Sequence, residues 1–162
     1  DNPFALGTCT GLLAPDGTIA VKHGKGETRA KLAECMNVNE MTADGIKQYD
    51  DLVGLPHANP AAVLEHMRQR FQDWDLIYIW ASSLMLVAIN PFQRFPIYTD
   101  EVLVSYREMT DLTTMPPHVY AVARKMWNGI ENPEGDVVPQ SCVISGESGS
   151  GKTETAKQVV RY

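Results

Sequence analysis

Gln140-Ser141-Cys142-Val143-Ile144-Ser145-Gly146-Glu147-Ser148-Gly149-Ser150-Gly151-Lys152-Thr153 is the stretch on which the fold of this chain turns. Residues 140–145 form a compact strand candidate, and Lys152 onward reads as a helix. Between them, Gly146 through Thr153 matches G-x-x-x-x-G-K-[ST], in the strand-to-helix setting that this phosphate-binding loop requires. From ordinary residue frequencies, a chance match in a chain of this length is expected well below about 1 time in 100.

The chemistry follows from the residue types. Gly146, Gly149 and Gly151 let the main chain curl around anionic oxygens without an intervening side chain. Successive N–H groups then point at the phosphates, and the start of the following helix adds positive potential. Lys152 supplies a mobile cation for the β/γ-phosphate region. The Thr153 hydroxyl is the expected ligand of a Mg²⁺ ion bridging the phosphates. Lys152 and Thr153 are therefore the candidate catalytic pair, with Thr153 the metal ligand. Glu147, Ser148 and Ser150 fill the variable positions, where the two serines either donate to phosphate or stabilise the loop. Glu154 sits close by on the helix and reads as structural rather than as a base. Such a loop binds a nucleotide but does not hydrolyse one alone, because hydrolysis also needs a positioned water and elements that close on the γ-phosphate.

Upstream, residues 131–139 read as a loop. Pro116-Pro117 predicts the opening of a helix with Val119, Val122, Ala123, Met126 and Trp127 as its buried stripe, ended by Gly129. Thr99 is a candidate cap for a shorter helix. Ile77-Tyr78-Ile79-Trp80 and Leu84-Met85-Leu86-Val87-Ala88-Ile89 read as strands, the second apolar enough to be covered on both faces and stopped by Asn90-Pro91. Asn59-Pro60 predicts a helix start, with Val63, Leu64, Met67 and Phe71 as its core stripe and Arg68 and Arg70 mostly off it. Residues 37–58 read as a linker wrapped on a larger body. Before them, Gly11 to Ala14, the Pro15-Asp16-Gly17 turn, Thr18 to Lys22, a Gly24-Lys25-Gly26 turn and Thr28 to Leu32 suggest small antiparallel β structure.

The composition is that of a soluble globular chain, with 44% hydrophobic and 21% charged residues among 162. A net charge of −6 gives no general attraction to nucleic acid or anionic lipid. The longest apolar run, Leu84 to Ile89, is too short for a transmembrane segment, and no secretory signal is visible. Cys9, Cys35 and Cys142 are widely separated, which fits neither a disulfide framework nor a metal site and suggests a reducing intracellular setting. His23, His57, His66 and His118 form no ligand motif. A chain that starts at Asp1 and stops at Tyr162 within a helix reads as a fragment.

Gly146 through Glu154, continued by Thr155-Ala156-Lys157-Gln158, closely resembles the phosphate loop and helix of myosins. Leu86-Val87-Ala88-Ile89-Asn90-Pro91-Phe92-Gln93-Arg94-Phe95-Pro96-Ile97-Tyr98 resembles the myosin purine-binding loop. Pro116-Pro117-His118-Val119-Tyr120-Ala121 is similar to the opening of the next helix of that family, and Asn59 to Leu64 with Gln69-Arg70-Phe71 to an earlier one. The order and spacing of the blocks agree. Kinesin-like motors share the phosphate-loop idea but not the asparagine–proline block. Two departures stand out. Ser150 replaces the more usual alanine, and Trp80-Ala81-Ser82-Ser83 lacks a glycine common in that turn.

The resemblance implies an α/β, P-loop nucleotide-binding motor-head fragment with a mostly β N-terminal segment. Residues 1–36 would be a partial small β-barrel-like segment, 37–58 a linker on the head, and 59–162 the beginning of the motor domain. It implies binding of ATP and Mg²⁺, with Asn90, Pro91, Arg94 and Tyr98 on the adenine side and Gly146, Glu147, Ser148, Gly149, Ser150, Gly151, Lys152 and Thr153 on the phosphate side. The implied function is an actin-based motor ATPase, cytoplasmic and associated with the cytoskeleton. Its actin-binding surfaces, and a lever carrying light chains or calmodulin, lie outside this chain, so the fragment alone is expected to be inactive. The alternatives are a motor-derived, non-catalytic actin-binding protein and a P-loop kinase-like enzyme.

Overall fold

Proline, glycine and short polar side chains open several elements of the structure, a computed structural model that describes residues 4–39, 41–42, 45–46, 49–74, 76–131 and 139–162. Most of the loop expected at 131–139 lies outside these residues. The chain divides into two compact units: Asp1–Lys47 with Pro56–His66, and Gln48–Leu55 with Met67–Tyr162.

In the first unit, β1 (Gly7–Thr10), β2 (Thr18–His23) and β3 (Gly26–Lys31) form an antiparallel meander in sequence order. Asp16 sets the first turn by accepting from both the backbone N–H (3.0 Å) and the hydroxyl (2.7 Å) of Thr18. The first strand falls at residues 7–10, ahead of the expected Gly11–Ala14 stretch, because Ala14 is taken into the turn, its N–H donating to the Thr18 carbonyl (2.8 Å) and its carbonyl accepting from the Gly17 N–H (2.9 Å). A second small ladder pairs β4 (Met41–Thr42) with β5 (Gly45–Ile46). Helix α1 (Pro60–Trp74) starts where Asn59-Pro60 predicts. The Asn59 Oδ1 accepts from the Ala62 N–H at 2.9 Å, and its Nδ2 donates to the Asn37 carbonyl at 2.7 Å.

The expected apolar stripe of α1 is met in part, with Phe71 packed half-buried against the core and Val63 and Met67 half-buried, but polar residues share the buried face. Ala62, His66, Gln69 and Arg70 are buried, whereas Leu64 is exposed. Arg70 shows why in the second unit. Its guanidinium donates to the carbonyls of Tyr49 (2.7 Å) and Tyr78 (2.9 Å) and to the Asp50 carboxylate (3.0 Å), so hydrogen bonding compensates a buried charge that apolar patterning would place outside.

The second unit holds the larger core: Ile77, Tyr78, Trp80, Leu103, Tyr106, Met115, Val119, Tyr120 and Ala121. Strands β6 (Tyr78–Ser82) and β7 (Met85–Ala88) form an antiparallel hairpin. Beyond β6 no other described strand pairs with β7, and with Met85 and Ala88 exposed the expected burial of both faces is not met. The turn forms without glycine, since none of Ala81 to Leu84 has a positive φ, and Lys125 donates to the Ser83 carbonyl at 2.8 Å. That ammonium also lies 4.0 Å from the centre of the Trp80 ring.

Helix α2 (Asp100–Glu108) begins at its Thr99 cap. Helix α3 (Val119–Ile130) is capped by His118, so Pro116-Pro117 precede the helix instead of opening it. It continues through Gly129 to Ile130. Its buried residues are Val119, Tyr120, Ala121 and Ala123, and Trp127 is 48% exposed, outside the core stripe expected for it. Residues 140–145 form no strand among the described residues, with Val143 at 89% exposure, since a strand needs a neighbouring backbone to complete its ladder. Helix α4 (Lys152–Arg161) follows the glycine-rich loop, giving mixed helix and strand content overall. No helix among the described residues is long and apolar enough to cross a membrane, and the three cysteines are free.

Candidate nucleotide site

Loop 146–151 takes its shape from backbone conformations that L side chains rarely adopt. Gly149 and Gly151 have φ of 78° and 92°, in the left-handed region. Gly146 has room for no side chain, since a Cβ there would lie 2.5 Å from the Ser150 Oγ. The loop is closed locally by the Ser150 N–H on the Glu147 carbonyl at 3.2 Å. Glu147, Ser148 and Gly149 are exposed, and Ser150 is half-buried with its hydroxyl turned over Gly146.

The start of α4 differs from the other helices. Asn59, Thr99 and His118 each cap a helix with a side chain, whereas Gly151 provides no side-chain cap. The first N–H groups of α4 thus keep their donor capacity for an anion. Lys152 opens this helix, and its Nζ donates to the Gly146 and Glu147 carbonyls, both at 2.8 Å. An ammonium held over the loop's own carbonyls can trade them for phosphate oxygens with little movement of its stem. Thr153 is exposed, and its hydroxyl has no hydrogen-bond partner among the described residues. The donor set fits a Mg·nucleotide: N–H groups and a cation suit the phosphates, and one hydroxyl suits an ion that draws its remaining ligands from phosphate and water. No cluster of three or more His, Cys, Asp or Glu able to hold a metal by itself occurs among the described residues.

The Asn90–Tyr98 segment reaches this loop at one point. Asn90 Nδ2 donates to the Gly149 carbonyl at 2.7 Å, while its Oδ1 accepts from the Phe92 N–H at 3.0 Å. Phe92 has φ of 50°, the one positive value at a described residue other than glycine, and its ring is 86% exposed. Pro91 is half-buried, and Arg94 is exposed with no polar partner among the described residues. Arg94 is therefore not brought to the loop with Asn90. Tyr98 lies at the other end of the segment, half-buried, with its hydroxyl 2.6 Å from that of Tyr78.

Helix α4 is tied to the same segment at its far end. Arg161 donates to the Tyr98 carbonyl at 2.6 Å and to the Asp100 carboxylate at 2.7 Å. Tyr120 donates to Gln158 at 3.1 Å. His118 Nδ1 accepts from the Tyr120 N–H at 3.0 Å, which leaves the ring proton on Nε2 for the Ile97 carbonyl, also at 3.0 Å. Burial pushes the His118 pKa down to about 4, against a smaller upward effect of the Ile97 hydrogen bond. Tyr78, His118 and Arg161 thus support the segment, and no local motif marks them for this role. A cavity of about 390 Å³ lies behind it, walled by Tyr78, Pro96, Ile97, Tyr106 and His118 and by no residue of the phosphate loop.

Comparison with known proteins places the chain in a family. Residues 49–162 match the family described as myosin head (motor domain). The chain is 37% identical over 159 residues to Myosin-3 of Arabidopsis thaliana, covering 98% of this chain and 13% of that protein. It is 38% identical over 114 residues to Myosin-D of Toxoplasma gondii, covering 70% of this chain and 13% of that protein. It is 39% identical over 113 residues to human unconventional myosin-Va, covering 70% of this chain and 6% of that protein. The chain thus spans a small part of the length of these relatives, 13% or less. With the family match running through the hairpin, the Asn90 segment, the glycine loop and α4, this chain belongs to the myosin head family.

Proposed function

We propose that this chain is the ATP-binding section of an actin-based motor that couples Mg·ATP hydrolysis to movement along actin filaments. The observation that carries the reading is the loop at 146–153, with left-handed glycines, an uncapped helix start and the Lys152 ammonium held over it. Family membership adds the motor context. Gly146 through Thr153 hold the phosphates, Lys152 neutralises charge on the β/γ oxygens, and Thr153 is one ligand of Mg²⁺. The ion, when bound, neutralises charge developing between the β- and γ-phosphates.

Asn90, Pro91, Arg94 and Tyr98 form the adenine side in this reading. Residues 1–36 are a small β segment, 37–58 a linker and 59–162 the opening of the motor domain. Actin contacts, the segments that position water, and a lever with light chains or calmodulin belong to other parts of the full-length protein, which acts on the cytoskeleton. The chain alone is then a nucleotide-binding piece without turnover, since it supplies phosphate and base contacts but not the closing elements.

Steady-state ATP hydrolysis by the full-length protein, with and without filamentous actin, tests this beside a Lys152→Ala variant. Stimulation by actin that vanishes in the variant is the expected result. Hydrolysis indifferent to actin points instead to a P-loop enzyme of kinase-like type, and no hydrolysis points to a non-catalytic actin tether.

A further inference from the structure

Tyr78 lies on β6, in the core, and is not itself among the residues assigned above to the nucleotide. It is 6% exposed, yet its hydroxyl is 2.6 Å from that of Tyr98. A buried hydroxyl needs a partner, and this one meets the side chain that closes the adenine-side segment. The rest of the Tyr98 environment is equally restrictive. Its carbonyl accepts from Arg161 at 2.6 Å, and the preceding carbonyl, of Ile97, is held by His118 at 3.0 Å. Ring contacts enclose it as well, with centroids 5.7 Å from His118 and 6.3 Å from Tyr120. Backbone ties fix where the Tyr98 chain runs, but they leave the tip of a long aromatic side chain free to swing about χ1. The Tyr78 hydroxyl is the contact that fixes that tip.

We infer that Tyr78 is a positioning residue for nucleotide base recognition, acting through its hydroxyl on Tyr98. This rests on the reading of Tyr98 as an adenine-side residue. Tyr78 touches no nucleotide itself. By holding the Tyr98 hydroxyl from the core side, it leaves the outer side of that oxygen, or its proton, for the base edge, and it removes the cost of ordering the ring when the base arrives. The phosphate contacts do not pass through this pair, so base affinity and phosphate affinity separate.

That separation is the test. Dissociation constants for Mg·ATP and for Mg·tripolyphosphate, which has the phosphates but no base, are measured on the full-length protein, its Tyr78→Phe and Tyr98→Phe variants, and the double variant. Phenylalanine keeps the core ring, and tripolyphosphate binding reports an intact phosphate loop in each variant. The inference expects Tyr78→Phe to weaken Mg·ATP about fivefold, as for one lost hydrogen bond, with tripolyphosphate affinity unchanged and no further loss when it is added to Tyr98→Phe. Equal losses for both ligands, no loss for Mg·ATP, or additive losses in the double variant overturn it. Wild-type protein that binds tripolyphosphate as tightly as Mg·ATP overturns the adenine-side reading itself, and the inference with it.

Discussion

Asn90 holds the phosphate loop by its backbone: its Nδ2 donates to the Gly149 carbonyl at 2.7 Å, across 59 positions of sequence. The same amide is oriented from the other side by the Phe92 N–H on its Oδ1 at 3.0 Å. With both ends engaged, the side chain cannot flip without losing both hydrogen bonds and opposing like groups at each end. Asn90 is thus a latch between the two loops.

Removing the latch has a defined effect. Asn90→Ala is expected to weaken Mg·ADP binding by about fivefold, the worth of roughly 1 kcal/mol for one hydrogen bond. Asn90→Asp is expected to be worse, because a carboxylate would face the Gly149 carbonyl with no proton to donate. Titration with a fluorescent nucleotide checks both, and an Asp variant that binds better than the Ala variant would count against the latch.

Gly149 offers a test of backbone conformation free of steric crowding. A Cβ added there meets nothing within 4 Å, so the cost of Gly149→Ala lies in its φ of 78°. About 1 to 2 kcal/mol is expected for alanine, and less for asparagine, which visits the left-handed region more readily. Thermal unfolding and nucleotide affinity should rank Gly, then Asn, then Ala. Equal behaviour of Asn and Ala would show that the conformation is not what matters.

Arg70 and Asp50 form an ion pair with unequal partners, their side chains 3% and 61% exposed. Arg70→Leu leaves the Tyr49 and Tyr78 carbonyls without this donor and is expected to cost about 3 kcal/mol or more. Asp50→Asn leaves Arg70 its two carbonyl acceptors and is expected to cost under about 1 kcal/mol. Urea unfolding of the two variants gives the comparison. Similar midpoints would refute the asymmetry.

His118 makes stability depend on pH in a definite direction. Its pKa is pushed down to about 4 from an ordinary 6.5, so between these values the unfolded chain binds more protons than the folded one. Stability is therefore full above about pH 6.5 and falls as the pH drops toward 4, by up to about 3 kcal/mol from this group. His118→Gln should flatten that part of the profile. An NMR titration in which His118 protonates near 6.5 would contradict the assigned burial.

What local sequence determined here is what local physics decides. Thr99 and Asn59 cap their helices because a short side-chain oxygen reaches an N–H two or three residues ahead, whatever surrounds it. The glycines of 146–151 let the main chain curl as expected of residues without a side chain, each at a positive φ. Tertiary structure decided which faces are buried. Arg70 lies in the core because three oxygens from distant segments meet it there, and Trp127 stays out although its helical spacing fits the stripe. Pro116-Pro117 predict a helix start from local preference, but the ring of His118, fixed between Ile97 and Tyr120, moved the cap past them. Gln140–Ser145 has the composition of a strand without a ladder, because a strand is completed only by the backbone beside it. Neither the Asn90–Gly149 latch nor the Tyr78–Tyr98 pair follows from spacing along the chain, since each joins groups that only the packed fold brings within hydrogen-bond reach.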